Sequence, residues 1–415
     1  MKKKRLIEEQ VLSTFKKEIP SQYFSHLDKT NKFYDHEKKV TNLYRFGLMF
    51  PPEFFLGKKV IDLGSGTGDN TISLARWGAL ITLVEINPDA LEISKNVFLK
   101  YTNNFHKHKF INSSLYNIDL NSLRETFDIS HSRGVFMHVE DKLKAFKILA
   151  ALTKPGGYII YGDRNTYGGL QEMLQRYAIY YFLNKSNEEI IDTDEKIVDI
   201  AEMLFSADID RSQKSIPRTR RAIIFDRWVI QQQNDPTINE VLNFFKKEGL
   251  EYVNSWPRID FAGRGTSSYT DLKNLPAMRQ GAQLIESIWM ILNKGELENI
   301  MYFDFLKNSQ KFYRGLETFV QSLRNIKIEN KLSINVLIGK LKILNSEIKK
   351  TEKSKFSEKL DIFFYEIKEF LKIIETSKNP QQIRKKIDNF QILFKGYAGV
   401  RHVDYIAYKP KHQKK

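Results

Sequence analysis

Short apolar runs and stretches with helical spacing alternate between residues 58 and 165. Val60, Ile61 and Leu63 form the first run, which has the length of a strand buried on both faces of a sheet. Five such strands are expected in this region, separated by segments whose apolar residues recur every three or four positions. The alternation predicts an α/β fold with a doubly wound, Rossmann-like sheet.

The remaining segments are predicted to extend this core. After a helical cap, Thr237–Leu250 has the pattern of a sheet-packing helix and Glu251–Ile259 that of a sixth strand. The predicted organisation is an N-terminal helical segment (1–57), a core (58–165), a cap (166–235), the core continued (236–260), a helical insertion (270–396) and a last core strand (399–410).

The last strand decides how the C-terminal helices are connected. Gly399–Pro410 has strand-forming residues, including Val403, Tyr405 and Tyr408. If it is the seventh strand, the helical bundle is inserted before it and both of its ends return to the sheet. Each helix of the bundle has one apolar stripe, which predicts a core face. The two clearest stripes are Ile334, Leu337, Ile338, Leu341, Leu344 and Ile348, and Phe356, Leu360, Phe363, Ile367, Phe370 and Ile374.

The sequence VIDLGSGTGDN, residues 60–70, joins the first strand to the first helix through three glycines. Gly64, Gly66 and Gly68 allow positive φ angles and leave room for a ligand against the backbone. Glu85 ends the next strand about 20 residues on, where doubly wound folds place an acid that binds ribose hydroxyls. A ligand that contains ribose is therefore predicted here.

The spacing of the glycines argues against a dinucleotide. The G-x-G-x-x-G pattern requires a third glycine where this chain has Asp69 or Thr71. Asp62, two residues before the first glycine, would repel a pyrophosphate and suits a ligand with an ammonium or sulfonium group.

Taken together, these residues resemble the class I S-adenosylmethionine (SAM)-dependent methyltransferases. The resemblance extends from about Lys58 to Asp163 and includes FDISHSRGVFMHVED (127–141) and LTKPGGYIIYGD (152–163) as the fourth and fifth strands with their loops. It implies SAM as the cofactor and a seven-stranded sheet. The residues predicted to bind the cofactor are Asp62, Gly64, Ser65, Gly66, Gly68, Glu85, Ile86, Ser113, Ser114, Leu115 and Ser132.

Candidate catalytic residues follow the fourth and fifth strands. A hydroxyl or amine acceptor would benefit from a base, and the predicted candidates are His138, His131 and Asp163. A structural role, as a hydrogen-bonded histidine or a helix cap, is the alternative for each. The predicted substrate-binding residues are Arg164 and three arginines of the cap, Arg218, Arg220 and Arg221, for which a charged surface is the alternative.

The amino-acid composition excludes several kinds of reaction and binding site. The 415 residues include no cysteine, which excludes disulfides, cysteine-ligated metals and methylation through a cysteine adduct. No metal is predicted to be involved. No apolar run approaches the length of a membrane span, and no secretory signal is evident, so a cytoplasmic protein is expected.

Net charge leaves two classes of acceptor open. The chain carries a formal charge of +16, and residues 269–415 contain 28 basic and 16 acidic residues. A small-molecule, glycan- or lipid-linked acceptor, methylated at oxygen or nitrogen, is the favoured interpretation. An RNA methyltransferase that uses the basic helices is the less favoured alternative. A SAM-binding protein that only assembles a complex is the third. The sequence gives no indication of oligomeric state.

Overall fold

The computed structural model describes residues 2–20, 30–185, 191–215, 218–259, 275–291, 310–324, 326–330, 332–350, 354–377, 379–395 and 402–411. The chain separates into two compact units. Unit 1 contains Met1–Arg164, Pro236–Gly281 and His402–Lys415, and unit 2 contains Asn165–Asp235 and Ala282–Arg401. The predicted residues 399–401 of the last strand lie outside the described part of the chain.

Unit 1 is built on a seven-stranded sheet with the order β3-β2-β1-β4-β5-β7-β6. Its strands are β1 Lys59–Leu63, β2 Leu80–Glu85, β3 Lys109–Asn112, β4 Phe127–Arg133, β5 Thr153–Arg164, β6 Glu251–Trp256 and β7 His402–Tyr408. Strands β1 to β5 pair in parallel, while β7 lies antiparallel between β5 and β6. The predicted doubly wound, Rossmann-like α/β fold is confirmed.

Fifteen α-helices are present among the described residues. In chain order they are α1 Lys2–Lys17, α2 Thr30–Asn42, α3 Ile72–Arg76, α4 Pro88–Tyr101, α5 Leu120–Leu123, α6 Lys142–Leu152, α7 Leu170–Lys185, α8 Thr193–Ser215, α9 Arg220–Ile224, α10 Ile238–Lys247, α11 Leu275–Ile291, α12 Gln310–Arg324, α13 Ile334–Ile348, α14 Lys355–Thr376 and α15 Pro380–Ile387. Thr237 begins α10 with a capping box to Glu240, as its position after Pro236 predicts.

The sheet has an apolar core on each face, because successive strand residues point to opposite sides. On one face, Ile160 of β5 and Ile406 of β7 join a cluster with residues of α3 and α4. On the other face, Tyr161 and Tyr405 lie against Phe146 of α6 and Phe245 of α10. The two cores hold the strands in register, so that the carboxyl ends of the parallel strands β1 to β5 lie at one edge of the sheet.

Unit 2 is helical. Helix α7 is buried around nearly its whole circumference, with polar Glu172, Gln175 and Arg176 enclosed beside its apolar residues. The two predicted apolar stripes lie on α13 and α14 and are buried except for Ile338, which is half-buried. The cap and the C-terminal helices thus form one compact body, although 46 residues separate them in sequence. In the part of the chain that is described, no helix combines the length and apolarity that a membrane crossing requires.

Candidate cofactor and acceptor site

The glycine loop between β1 and α3 has the backbone conformation that its residues predict. The φ angles of Gly64, Gly66 and Gly68 are 71°, 53° and 78°, in the left-handed region that favours glycine. A Cβ at Gly64 would lie 2.6 Å from Val135, and one at Gly68 would lie 2.9 Å from the Phe98 ring. The helix that follows is short, so the loop itself, rather than a long helix N-terminus, provides the cradle.

Glu85 closes this loop from the end of β2. Its Oε2 accepts a hydrogen bond from the Gly66 N–H at 2.8 Å, and its Oε1 accepts one from the Asn87 N–H at 2.8 Å. Burial raises the pKa of the Glu85 carboxyl, and these two N–H groups oppose the rise. A carboxylate accepts more than two hydrogen bonds, so Glu85 retains lone pairs for a ribose diol.

Asp62 belongs to a buried polar cluster beneath the loop. Its Oδ1 lies 2.8 Å from His131 Nδ1, and its Oδ2 accepts a hydrogen bond from Thr71 at 3.2 Å. Asp62 and His131 are about 1% and 0% exposed, so the pair is sealed within the protein. The pairing fixes the end of β1 to β4. Ser132 is bound to the same strand end, because its hydroxyl donates to the Leu63 carbonyl at 2.9 Å.

The segment after β3, which contains the predicted cofactor residues Ser113, Ser114 and Leu115, contacts α1. The N–H of Ser113 donates to the Glu85 carbonyl at 3.1 Å, the carbonyl of Ile86 accepts from Asn112, and Leu115 is buried. The hydroxyl of Ser114 donates to Glu8 of α1. Asn87 donates to the Phe15 carbonyl at 3.2 Å. Helix α1 therefore lies along the edge where Glu85 and Ser114 meet.

These features fit SAM better than a dinucleotide. The loop leaves no room for side chains, the acid for the ribose is in place, and the buried Ser65 hydroxyl has no hydrogen-bond partner among the described residues. Residues 55–213 match the family described as a methyltransferase domain. Together with the geometry of the site, this match supports a class I SAM-dependent methyltransferase. SAM is accordingly the cofactor of this site.

Curated relatives match part of the chain. The ubiquinone biosynthesis O-methyltransferase of Vibrio vulnificus is 24% identical over 152 residues, which are 35% of this chain and 63% of the relative. The enzyme of the same name from Coxiella burnetii is 32% identical over 110 residues, which are 26% of this chain and 44% of the relative. The chain therefore spans less than two thirds of the length of these relatives.

Among solved structures, the chain is similar to a putative methyltransferase from Bacillus halodurans. The two are 10% identical, the match covers 85% of this chain and 93% of the other, and the TM-score is 0.33. At that TM-score the likeness has no bearing on function.

The three predicted catalytic residues are all buried. His138 is 7% exposed and its ring meets the edge of Phe15, with centroids 5.2 Å apart. His131 is fully enclosed with Asp62. Asp163 is buried and accepts hydrogen bonds from the Tyr161 hydroxyl and from the Arg164 N–H, each at 3.0 Å. Arg164 is buried too, and its Nε lies 3.0 Å from the Met137 sulfur.

The three cap arginines predicted to bind substrate each have an acidic partner within unit 2. Arg218 pairs with Asp226, Arg220 with Glu202 and Asp210, and Arg221 with Glu195. Arg227, a further arginine of this segment, is its most deeply buried one at 1% exposed. It contacts Asp208 at 2.8 Å and Glu172 at 3.4 Å. The segment thus provides a network of ion pairs around one buried guanidinium.

A polar cluster at the start of β7 was not predicted from the sequence. Arg133, at the end of β4, binds Asp404 through two nitrogens, at 2.7 and 3.1 Å, and donates to Asn70 at 3.0 Å. His402 Nε2 lies 3.1 Å from the same Asp404. The pattern His-x-Asp in a strand places both side chains on one face and was the available signal.

Proposed function

We propose that this protein transfers the methyl group of SAM to an oxygen or nitrogen of a small-molecule acceptor, free or linked to a glycan or lipid. The observation that carries the proposal is the contact between Glu85 Oε2 and the Gly66 N–H. It brings a ribose-binding acid and a glycine loop together at the carboxyl edge of the sheet, where open α/β sheets bind ligands.

We assign the cofactor to the loop and its neighbours. Gly64, Gly66 and Gly68 face the donor, while Asp62 supports the loop from below and Glu85 binds the ribose. Ile86, Ser113, Ser114 and Leu115 lie along the adenine side, and Ser65 and Ser132 lie beside the loop. The charge of the sulfonium makes the methyl group reactive, so the protein has mainly to align the acceptor and exclude water.

Oxygen is the better supported acceptor atom, because the relatives named above are O-methyltransferases. The roles of His138, His131 and Asp163 in catalysis stay predictions. So do the roles of Arg164, Arg218, Arg220 and Arg221 in substrate binding. Each of the three cap arginines already pairs with an acidic side chain. An anionic substrate would therefore compete with Asp226, Glu202, Asp210 and Glu195.

The test is transfer of an isotopically labelled methyl group. Purified protein and methyl-labelled SAM are incubated separately with the small-molecule, lipid and RNA fractions of a cell extract, and products are found by mass spectrometry. We expect a labelled small molecule or lipid that is absent with Glu85→Ala. Label confined to RNA would favour the alternative acceptor. Binding of S-adenosylhomocysteine without any labelled product would contradict the proposed activity.

A further inference from the structure

A histidine–aspartate pair lies at the carboxyl edge of the sheet, beyond the glycine loop. Asp404 pairs with Gly162 of β5 across the sheet, and Gly162 pairs with Arg133 of β4. Asp62 of β1 lies level with His131, and Gly64 and Arg133 each follow two residues later along these parallel strands. Gly64, Arg133, Gly162 and Asp404 therefore form one row.

The strand order shows which end of this row lies nearer the ribose and which lies nearer the acceptor. Glu85, which we assign to the ribose, ends β2, and the order from there is β1, β4, β5 and β7. The sulfonium sulfur is bonded to C5′ of the ribose. With the ribose at Glu85, the donor methyl is therefore placed toward β1 and β4, and an acceptor must approach from β5 and β7. Strands are about 4.8 Å apart, which leaves roughly 10 Å between β1 and β5 for the methyl group and the acceptor.

Gly162 allows the pair to cross above β5. A Cβ at this position would overlap the Asp404 carboxylate and lie 2.8 Å from both Arg133 Cγ and His402 Nε2. A glycine inside a strand marks such a close approach. The side chains of β7 therefore reach back over β5 to Arg133, whose remaining nitrogen binds Asn70 next to the glycine loop.

His402 differs from the other histidines at this edge. Its side chain is 26% exposed, whereas His131 is sealed and His138 is 7% exposed. Its Nε2 is bound to Asp404, and its Nδ1 has no hydrogen-bond partner among the described residues. An imidazole that donates Nε2–H to a carboxylate presents the lone pair of Nδ1 as a base.

On this geometry, and resting on the proposed methyl transfer, we propose that His402 is the general base that deprotonates the acceptor, with Asp404 and Arg133 as positioning residues. His402 Nδ1 takes the proton of an acceptor hydroxyl or amine as that atom bonds to the methyl carbon. The carbon–sulfur bond breaks with its electron pair on sulfur, and the imidazolium later releases the proton to water. The acceptor is thereby an alcohol, phenol or amine, rather than a carboxylate, which needs no base.

The charges around His402 suit this role. Burial lowers the pKa of the imidazole, Arg133 and Arg164 act in the same sense, and Asp404 opposes them. The imidazole is therefore neutral at neutral pH and able to accept a proton. His36 of α2 and Tyr44 are titratable groups that also lie within electrostatic reach of this cluster, His36 through Arg133 and Tyr44 through both Asp404 and Arg133.

The test compares His402→Ala, His402→Gln and Asp404→Asn with wild type and with His106→Ala, a surface histidine. Initial rates of label transfer to the small-molecule fraction are measured across pH. We expect His402→Ala and His402→Gln to lower this initial rate about 100-fold or more and to abolish the loss of rate at acid pH. Affinity for S-adenosylhomocysteine should change less than about twofold, and His106→Ala should match wild type.

Three outcomes would overturn the proposal. They are a rate within threefold of wild type in His402→Ala, a fall in cofactor affinity that matches the fall in rate, and a loss of rate at acid pH that persists in the His402 variants. A readout that needs no acceptor separates this failure from failure of the proposed function. In proton NMR, His402 should titrate below the ordinary histidine value and lower still in Asp404→Asn. Titration at the ordinary value in both proteins would overturn the proposal even if wild type transferred no label.

Discussion

At the scale of single residues, the site depends on groups whose partners are backbone atoms. Glu85 is held by the N–H groups of Gly66 and Asn87, so its carboxylate cannot rotate away from the ribose position. Gly64 and Gly68 are required by both conformation and space, since a Cβ at either would meet Val135 or Phe98. The cofactor site is therefore preorganised, and single substitutions should change affinity more than fold.

Glu85→Ala should weaken binding of S-adenosylhomocysteine by about 1.5–3 kcal/mol, the contribution of a charged hydrogen-bonding group. Gly66→Val should abolish binding, because φ of 53° and the added side chain both oppose it. Isothermal titration calorimetry measures both, with Glu92→Ala on the surface of α4 as the control. Wild-type affinity in both variants would remove the site assignment.

Asp404 gives unit 1 a pH-dependent contribution to stability. Burial raises the pKa of its carboxyl, but Arg133 and His402 outweigh burial and hold it well below its usual range. A depressed pKa stabilises the fold above the unfolded value of about 3.9, and this contribution is lost as pH falls through the folded value. Asp404→Asn should therefore destabilise the protein by about 2–4 kcal/mol at pH 7.

The difference between Asp404→Asn and wild type should shrink as pH falls below about 4. Urea midpoints at several pH values measure it, and Asp361→Asn, on the exposed side of α14, should follow wild type throughout. A constant difference down to low pH would show that Asp404 does not titrate with folding.

At the scale of elements, the arginine-rich segment of the cap contains two kinds of ion pair. Arg227 and Glu172 have side chains 1% and 6% exposed, while Arg221 and Glu195 are 39% and 51% exposed. Exposed pairs contribute little, whereas removal of one partner of a buried pair leaves an uncompensated charge. The same residue type therefore stabilises unit 2 at one position and leaves it unaffected at another.

Arg227→Ala should lower the free energy of unfolding by about 3–5 kcal/mol, because Glu172 and Asp208 lose their shared counter-ion. Arg221→Ala should change it by less than about 1 kcal/mol. Thermal unfolding monitored by circular dichroism distinguishes the two. A stable Arg221→Ala protein with reduced methyl transfer would support the predicted role of Arg221 in substrate binding, whereas equal stability losses would contradict this division.

At the scale of the whole molecule, both helical insertions belong to one unit. The chain leaves unit 1 after Arg164 and after Gly281, and returns at Pro236 and His402. Strand β7 follows the second insertion yet lies between β5 and β6, so the sheet of unit 1 is complete only when the C-terminal residues are included.

Replacing both 165–235 and 282–401 by Gly/Ser linkers should leave a soluble protein that binds S-adenosylhomocysteine within about threefold of wild type, because each linker rejoins unit 1. Replacing 282–401 alone should cause aggregation, since it exposes the buried faces of α7 and α8. Size-exclusion chromatography and calorimetry measure both properties. A soluble single replacement would show that the cap folds without the C-terminal helices.

The sequence by itself determined the parts that depend on local pattern. Apolar runs gave the strands, the glycines and Glu85 gave the cofactor loop, and Thr237 gave the start of α10, because each feature is specified within a few residues. His131 and Asp62 are 69 residues apart in sequence, and Arg133 and Asp404 are 271 residues apart. Only the strand order and register bring them together. The same holds for the cap and the C-terminal helices, whose apolar stripes show that a partner exists but not which one. Burial then distinguished Arg227 from the more exposed arginines of the cap and placed the apolar stripes of α13 and α14 inside unit 2, because arginines and apolar stripes look alike until their surroundings are known.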